Sequence, residues 1–293
     1  MNLKNYLLPV LFMLTSSLSM SQELLDMLAE DEETQEQRIV TNTFLSTRVI
    51  NGQSVENPYP QDLVFVISHH FGSLNQGAYE LFGLDHATIR LGLEYGVNQR
   101  LMLAVGRSSY EKTIDTFFKY KLLQQQNGLR EIPVTVSLMS GAYLKTVRWQ
   151  IPERAYNFSH RLSYVYQAMI ARKFSGIFSL QLTPAVVHQN LVERSDEPNT
   201  QFVTGVGGRI ILTPWITLNS EYFYRFNPID NTYNVFSLGF DFDTGGHVFQ
   251  LHFTNAQPMF ERAFLTDTRG SWLNGDIYFG FNITRVFSLG AYP

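Results

Sequence analysis

The stretch His86–Tyr95, HATIRLGLEY, constrains the fold more than any other part of the chain. Read with period two, Ala87, Ile89, Leu91, Leu93 and Tyr95 fall on one side, and His86, Thr88, Arg90, Gly92 and Glu94 on the other. Successive side chains of a strand point to opposite faces, and only that geometry sorts every residue here. One face is wholly apolar and the other carries charge. That suits a strand with lipid outside and a wet lumen inside.

Composition agrees with such a wall. Mean hydropathy is slightly negative at -0.10, yet aromatic residues make up 14%. A helical membrane protein would be far more apolar, whereas a barrel turns only alternate residues to lipid. A net charge of -4 gives no reason to expect a nucleic-acid partner. The chain has no cysteine, which excludes disulfides, thiolate metal sites, a thiol nucleophile and a lipidated N-terminal cysteine.

The N-terminus reads as an export signal. Lys4 precedes an apolar run from Tyr6 to Leu18, too short to span a bilayer comfortably, and Ser17, Ser19 and Ser21 offer cleavage positions. The expected division is a signal peptide over 1–21, an acidic arm with a small hairpin over 22–58, and a barrel over 59–293. Between Glu23 and Gln37 there are acidic residues and no basic one, so the arm is expected to be solvated, with residues 23–38 free to meet a periplasmic partner. Over Val40–Val55, β-prone residues lead into Asn51-Gly52, a tight-turn signal. This piece reads as an extra strand, a plug or an extension, and not as part of the wall.

From Gln61 onward about twelve segments alternate, near 61–71, 86–96, 98–108, 111–123, 130–142, 159–173, 176–190, 200–212, 214–226, 232–243, 246–256 and 276–290. Long connections at 72–85, 143–158, 191–199 and 257–275 alternate with short ones at Gly96–Asn98, Ser175-Gly176, Thr213-Pro214 and Thr244–Gly246. Two connections break the rule: the one at Ser109-Tyr110 is too short, and Gln124–Leu129 is too long. The expectation is an all-β fold: a closed antiparallel up-and-down transmembrane barrel of about twelve strands with a short N-terminal extension. Lipid of the outer membrane would surround it, and the insertion machinery would engage its apolar last strand.

Several motifs also carry a likeness. HHFG at His69–Gly72, FGLDHATIRLGLEYGV at Phe82–Val97, KYKLL at Lys119–Leu123, GGHVFQLHFTNA at Gly245–Ala256 and GDIYFGFNITRVFSL at Gly275–Leu289 resemble the bacterial β-barrel family catalogued as domain of unknown function 5777. The likeness runs from about Thr43 to Leu289 and departs from the family at His70, where arginine is expected. It implies an exported outer-membrane barrel and brings no catalytic residues and no cofactor.

Strand parity points Arg90, Glu94, Lys119, Lys121, Arg161, Gln181, Arg209, Glu221, Asp241, Asp243, His252, Asp276 and Asn282 into the lumen. Both signs are present, so they either brace the interior as a cross-strand network or line a path for a solute. His69 and His70 fall on opposite faces, as do His247 and His252, so neither pair chelates a metal in regular strand geometry. Ser159-His160 and Ser68–His70 lack the setting of a hydrolase. The expectation is a narrow channel for small polar solutes or ions in the outer membrane, without catalysis, metal or cofactor; the alternative is a non-conducting barrel that serves as a scaffold in an envelope complex.

Overall fold

A computed structural model describes residues 38–128, 130–148, 157–192, 197–227 and 229–290. The expected signal peptide and acidic arm, as far as residue 37, lie outside the described residues.

Twelve strands form the wall: β2 (Asp62–Ser73), β3 (Ala87–Gly96), β4 (Leu101–Ser108), β5 (Ile114–Leu123), β7 (Thr135–Leu144), β8 (Leu162–Lys173), β9 (Phe178–Gln189), β10 (Thr200–Thr213), β11 (Ile216–Arg225), β12 (Val235–Asp243), β13 (His247–Thr254) and β14 (Tyr278–Ser288). Each pairs antiparallel with its neighbours in chain order, and β14 returns to β2, with Ile283 opposite Ile67, to close the barrel. Closure leaves no strand edge exposed, the condition for a sheet in hydrocarbon. A separate two-strand ribbon pairs β1 (Arg38–Ile39) with β6 (Gln126–Asn127). It accounts for the overlong connection at Gln124–Leu129: that turn receives the incoming N-terminal chain.

The polarity of the wall is inverted relative to a soluble protein. On β3 the leucines at 91 and 93 are more than two-fifths exposed, while Arg90 and Glu94 are completely buried. The same holds round the barrel, with Val105, Phe118, Tyr166, Phe202, Tyr222 and Phe240 turned outward. A continuous apolar belt of this size is not tolerated in water, so the outward face meets lipid. No helix among the described residues is long and apolar enough to cross a membrane; the chain crosses with strands.

The lumen is occupied from both ends. Residues 41–58 fold back into the barrel from the end with the short turns. Arg48 bridges to Gln53, and the Val49 amide donates to the Gly52 carbonyl at 2.8 Å, placing Asn51-Gly52 at the tip. Phe44, Val49 and Val55 pack on the inward side chains Met102, Phe117, Met139 and Met169. From the opposite end the connection between β13 and β14 descends as a short helix, α1 (Glu261–Thr266), all six residues of which are buried. Phe260, Ala263 and Phe264 pack on Tyr143, Val165, Val187, Val203 and Phe223. Each such apolar side chain removed from water contributes about 1.5–3 kcal/mol, so the insertions hold by ordinary core burial.

Candidate functional site

The inward wall is where charge meets the two insertions. Glu221 on β11 accepts from three successive backbone amides at the tip: Ile50 at 3.3 Å, Asn51 at 2.9 Å and Gly52 at 3.0 Å. Gln250 donates to the Val49 carbonyl at 2.7 Å and Asn282 to that of Ile50 at 3.0 Å. Gln181 accepts from the Val55 amide at 3.0 Å and donates to the Gln53 carbonyl at 2.8 Å. Lys119 donates to the Ser54 carbonyl at 3.0 Å and to the Gln53 side chain at 3.3 Å. Arg209 reaches the Asn42 carbonyl at 3.0 Å, and Lys121 lies 3.7 Å from Glu56. The wall thus satisfies the backbone of a segment that has little regular structure of its own.

The two insertions touch at mid-lumen. Arg48 donates to Glu261 at 3.1 Å, and Gln53 and Tyr143 donate to the same carboxylate at 2.8 and 2.7 Å. Glu94 stands 3.7 Å from Arg48, and neither of its buried oxygens has a hydrogen-bond donor. Beside them Arg90 grips Asp115 through two bonds, at 3.0 and 2.5 Å.

A cavity opens on each side of this partition. The one toward the long loops, about 260 Å³, is lined by Lys145, Arg161, Arg262, Glu111 and Asp267 among others. The one toward the short turns, about 410 Å³, lies between Phe44, Leu45, Tyr59, Val64, Lys121 and Val286. At the rim of the first, Glu111 binds both Arg262 and Lys145. Burial opposes ionisation of Glu111, but these two cations outweigh it and hold the carboxyl below the usual range.

Of the residues assigned inward, Arg90, Glu94, Lys119, Lys121, Gln181, Arg209, Glu221, Asp241, His252 and Asn282 are buried on the inner wall. Asp241 receives Gln250 at 2.6 Å. Three others sit at the ends. Asp243 caps the β12–β13 turn by accepting from the Gly245 amide. Arg161 ends a 3-10 turn at the rim and ties down the carbonyls of Lys145 and Val147. Asp276 needs correcting: β14 begins at Tyr278, so Asp276 lies in the preceding connection, where strand parity does not apply; β14 itself stays in step with β13 from Tyr278 onward. Its carboxylate instead joins loops, accepting from Asn75 at 2.6 Å and from the Ser271 amide at 3.0 Å.

The histidines divide as parity requires, with one convergence. His69 turns outward and stacks on Phe281. His70 and His252, on strands either side of β14, meet with their Nε2 atoms 2.8 Å apart, and His70 Nδ1 donates to the Gln257 carbonyl. They close over Gly280, where a Cβ would come within 2.3 Å of the His70 ring. His86 stays outside this pair and faces Glu80 at the surface. Among the described residues no three His, Asp or Glu side chains form a metal-holding group.

Sequence reasoning held a plug among three alternatives for Val40–Val55 and missed the connection carrying α1 as an occupant of the lumen. The usable signal was inward-phase residues that a wet lumen does not need, such as Phe117, Val165 and Phe223.

The geometry defines a membrane-bound β-barrel with an occupied lumen. The chain belongs to the family described as a membrane bound beta barrel domain (DUF5777), whose model matches residues 44–287. No curated protein matches it. Among solved structures it is similar to the NanC porin (9% identity, TM-score 0.47, covering 76% of this chain and 98% of that one). It is also similar to an outer membrane channel from Pseudomonas putida F1 (16%, 0.43, 79% and 97%). A third is Omp33, an outer membrane protein of Acinetobacter baumannii (9%, 0.40, 79% and 100%).

Proposed function

We propose that this chain is an outer-membrane channel for small polar or ionic solutes, closed at mid-lumen by its own N-terminal segment and α1. The observation that carries the reading is Glu94: a buried carboxylate inside the partition, beside Arg48, with no hydrogen-bond donor on either oxygen. Buried charge without donors is costly, and water supplies what the protein does not. Hydration of the partition would link the two cavities, and the inward charges of both signs would then select among solutes. On this reading the short turns face the periplasm. No catalytic role is assigned to any residue.

Single-channel recording in planar bilayers tests this. The parent chain is expected to show brief openings, and Arg48→Ala is expected to lengthen them. The runner-up is a non-conducting barrel that holds partners through its arm, favoured by the occupation of the lumen from both ends. Silence from both correctly folded proteins would decide for that alternative.

A further inference from the structure

One seam of the wall is built unlike the rest. Strands β8 and β9 keep a single register from Ser163 opposite Gln189 to Lys173 opposite Ser179, but pairing is missing where Ala168 faces Pro184 and Met169 faces Thr183. On its other side Pro184 remains paired, with Thr204. Proline has no N–H to give, and the interior of a sheet normally excludes it. Within a bilayer no water replaces the partner of an unpaired backbone group, so a proline here weakens the wall where weakness is least tolerated.

Both faces of the seam are also unusual. Outside lies a hollow of about 640 Å³, with Ser140, Ala168, Pro184 and Thr204 as its small residues and Tyr166 and Phe202 among the larger ones. It is continuous with the lipid-facing belt, so what covers it comes from the bilayer. Inside, Val165, Met169, Ala185, Val187 and Val203 are buried and apolar, whereas β3 and β5 present charge to the lumen. Set among them, Gln167 and Gln201 are at most 4% exposed, and neither end of either side-chain amide has a partner. Small residues outside, a broken ladder and apolar residues inside coincide at this seam, with one unsatisfied amide on β8 and the other on β10 beside it.

We propose that the β8–β9 seam at Pro184 is a lateral port for a single-chain amphiphile of the fatty-acid type. The chain lies in the outer hollow and the polar end is received by Gln167 and Gln201. This does not depend on axial conduction.

The absence of cysteine permits a clean test. Tyr166 and Val186 face each other across the seam, so Tyr166→Cys with Val186→Cys forms a removable lock that leaves Pro184 in place. The full chain in nanodiscs is irradiated with a diazirine-bearing palmitate, and adducts are mapped by mass spectrometry. The expected result is labelling of the inward residues Gln167, Met169 and Gln201 as well as of the hollow. Oxidising the lock should abolish the inward adducts and reduction should restore them. Pro184→Val, which returns the missing N–H, should weaken them. Adducts confined to outward residues in the parent chain overturn the proposal whatever the variants do, and so do inward adducts indifferent to both the lock and Pro184→Val.

Discussion

Arg48 and Glu261 stand 3.1 Å apart in the middle of the barrel, although their segments enter from opposite ends. Arg48 arrives with the N-terminal segment and Glu261 at the start of α1. Both are almost fully buried, and the carboxylate also holds Gln53 and Tyr143. Neither insertion is anchored by the wall alone; each is part of the other's binding site.

Breaking that pair should therefore loosen both insertions. Removing one partner of a buried ion pair costs about 3–5 kcal/mol, because the other charge is left behind. Glu261→Gln leaves Arg48 with Glu94 at 3.7 Å and the Asn51 carbonyl, and should cost less than that range. Arg48→Met leaves two buried carboxylates, Glu261 and Glu94, without their shared cation and should cost more. The double variant should lose less than the two single losses added. Urea unfolding in detergent, followed by circular dichroism, measures all three; strict additivity would mean the two residues do not act together.

Glu221 should act as the latch of the N-terminal tip. Three backbone amides converge on it, and hydrogen bonds to a charged group are worth about 1.5–3 kcal/mol each. Ile50 at the tip is fully buried. In an Ile50→Cys background a water-soluble maleimide should find no thiol. Adding Glu221→Ala should expose it, with the barrel still migrating as folded on an unheated gel. Equal labelling in both backgrounds would remove the latch.

The wall was legible in the sequence because its two solvents differ so sharply. On β3 every second residue answers to lipid and every other one to a polar interior, and no other geometry sorts Arg90 and Glu94 from the leucines. The insertions were not legible for the converse reason. A segment inside a polar lumen is itself mixed in polarity, so the stretch around Asn51-Gly52 announces a turn but not where the turn lodges. Helix α1 is too short to show a period, and its burial of Arg262 beside Phe264 is settled by tertiary partners alone. Asp276 was misplaced because parity was extended back past the start of β14 into a connection, where side chains follow no alternation.

Gly52 should tolerate no side chain. A Cβ there would lie 2.6 Å from the Phe223 ring, which is itself inward-facing and packs against Phe264. Overpacking of this kind typically costs about 1–3 kcal/mol. Gly52→Ala should fall in that range by thermal unfolding. Phe223→Leu removes the ring atom in the way, so adding it should cost less in the Gly52→Ala background than in the parent. A larger cost in that background would show that the ring is not the obstacle.

Acid should release α1 from the rim before the wall unfolds. The pKa of Glu111 is lowered in the folded protein: burial works against ionisation, but Arg262 and Lys145 outweigh it. A carboxylate depressed in this way stabilises the fold above its ordinary value of 4.5, and the contribution is lost as pH falls through the lower folded value. Arg262 belongs to α1, so what Glu111 stabilises is the seating of that helix. Hydrogen-exchange protection over residues 263–267, corrected for intrinsic rate, should thus be level from neutral pH down to about 5 and fall below that. Glu111→Gln should be less protected at neutral pH, and its decline in acid should be shallower because the titrating partner is gone. The same acid-dependent slope in the parent and in Glu111→Gln would assign the effect to another carboxylate.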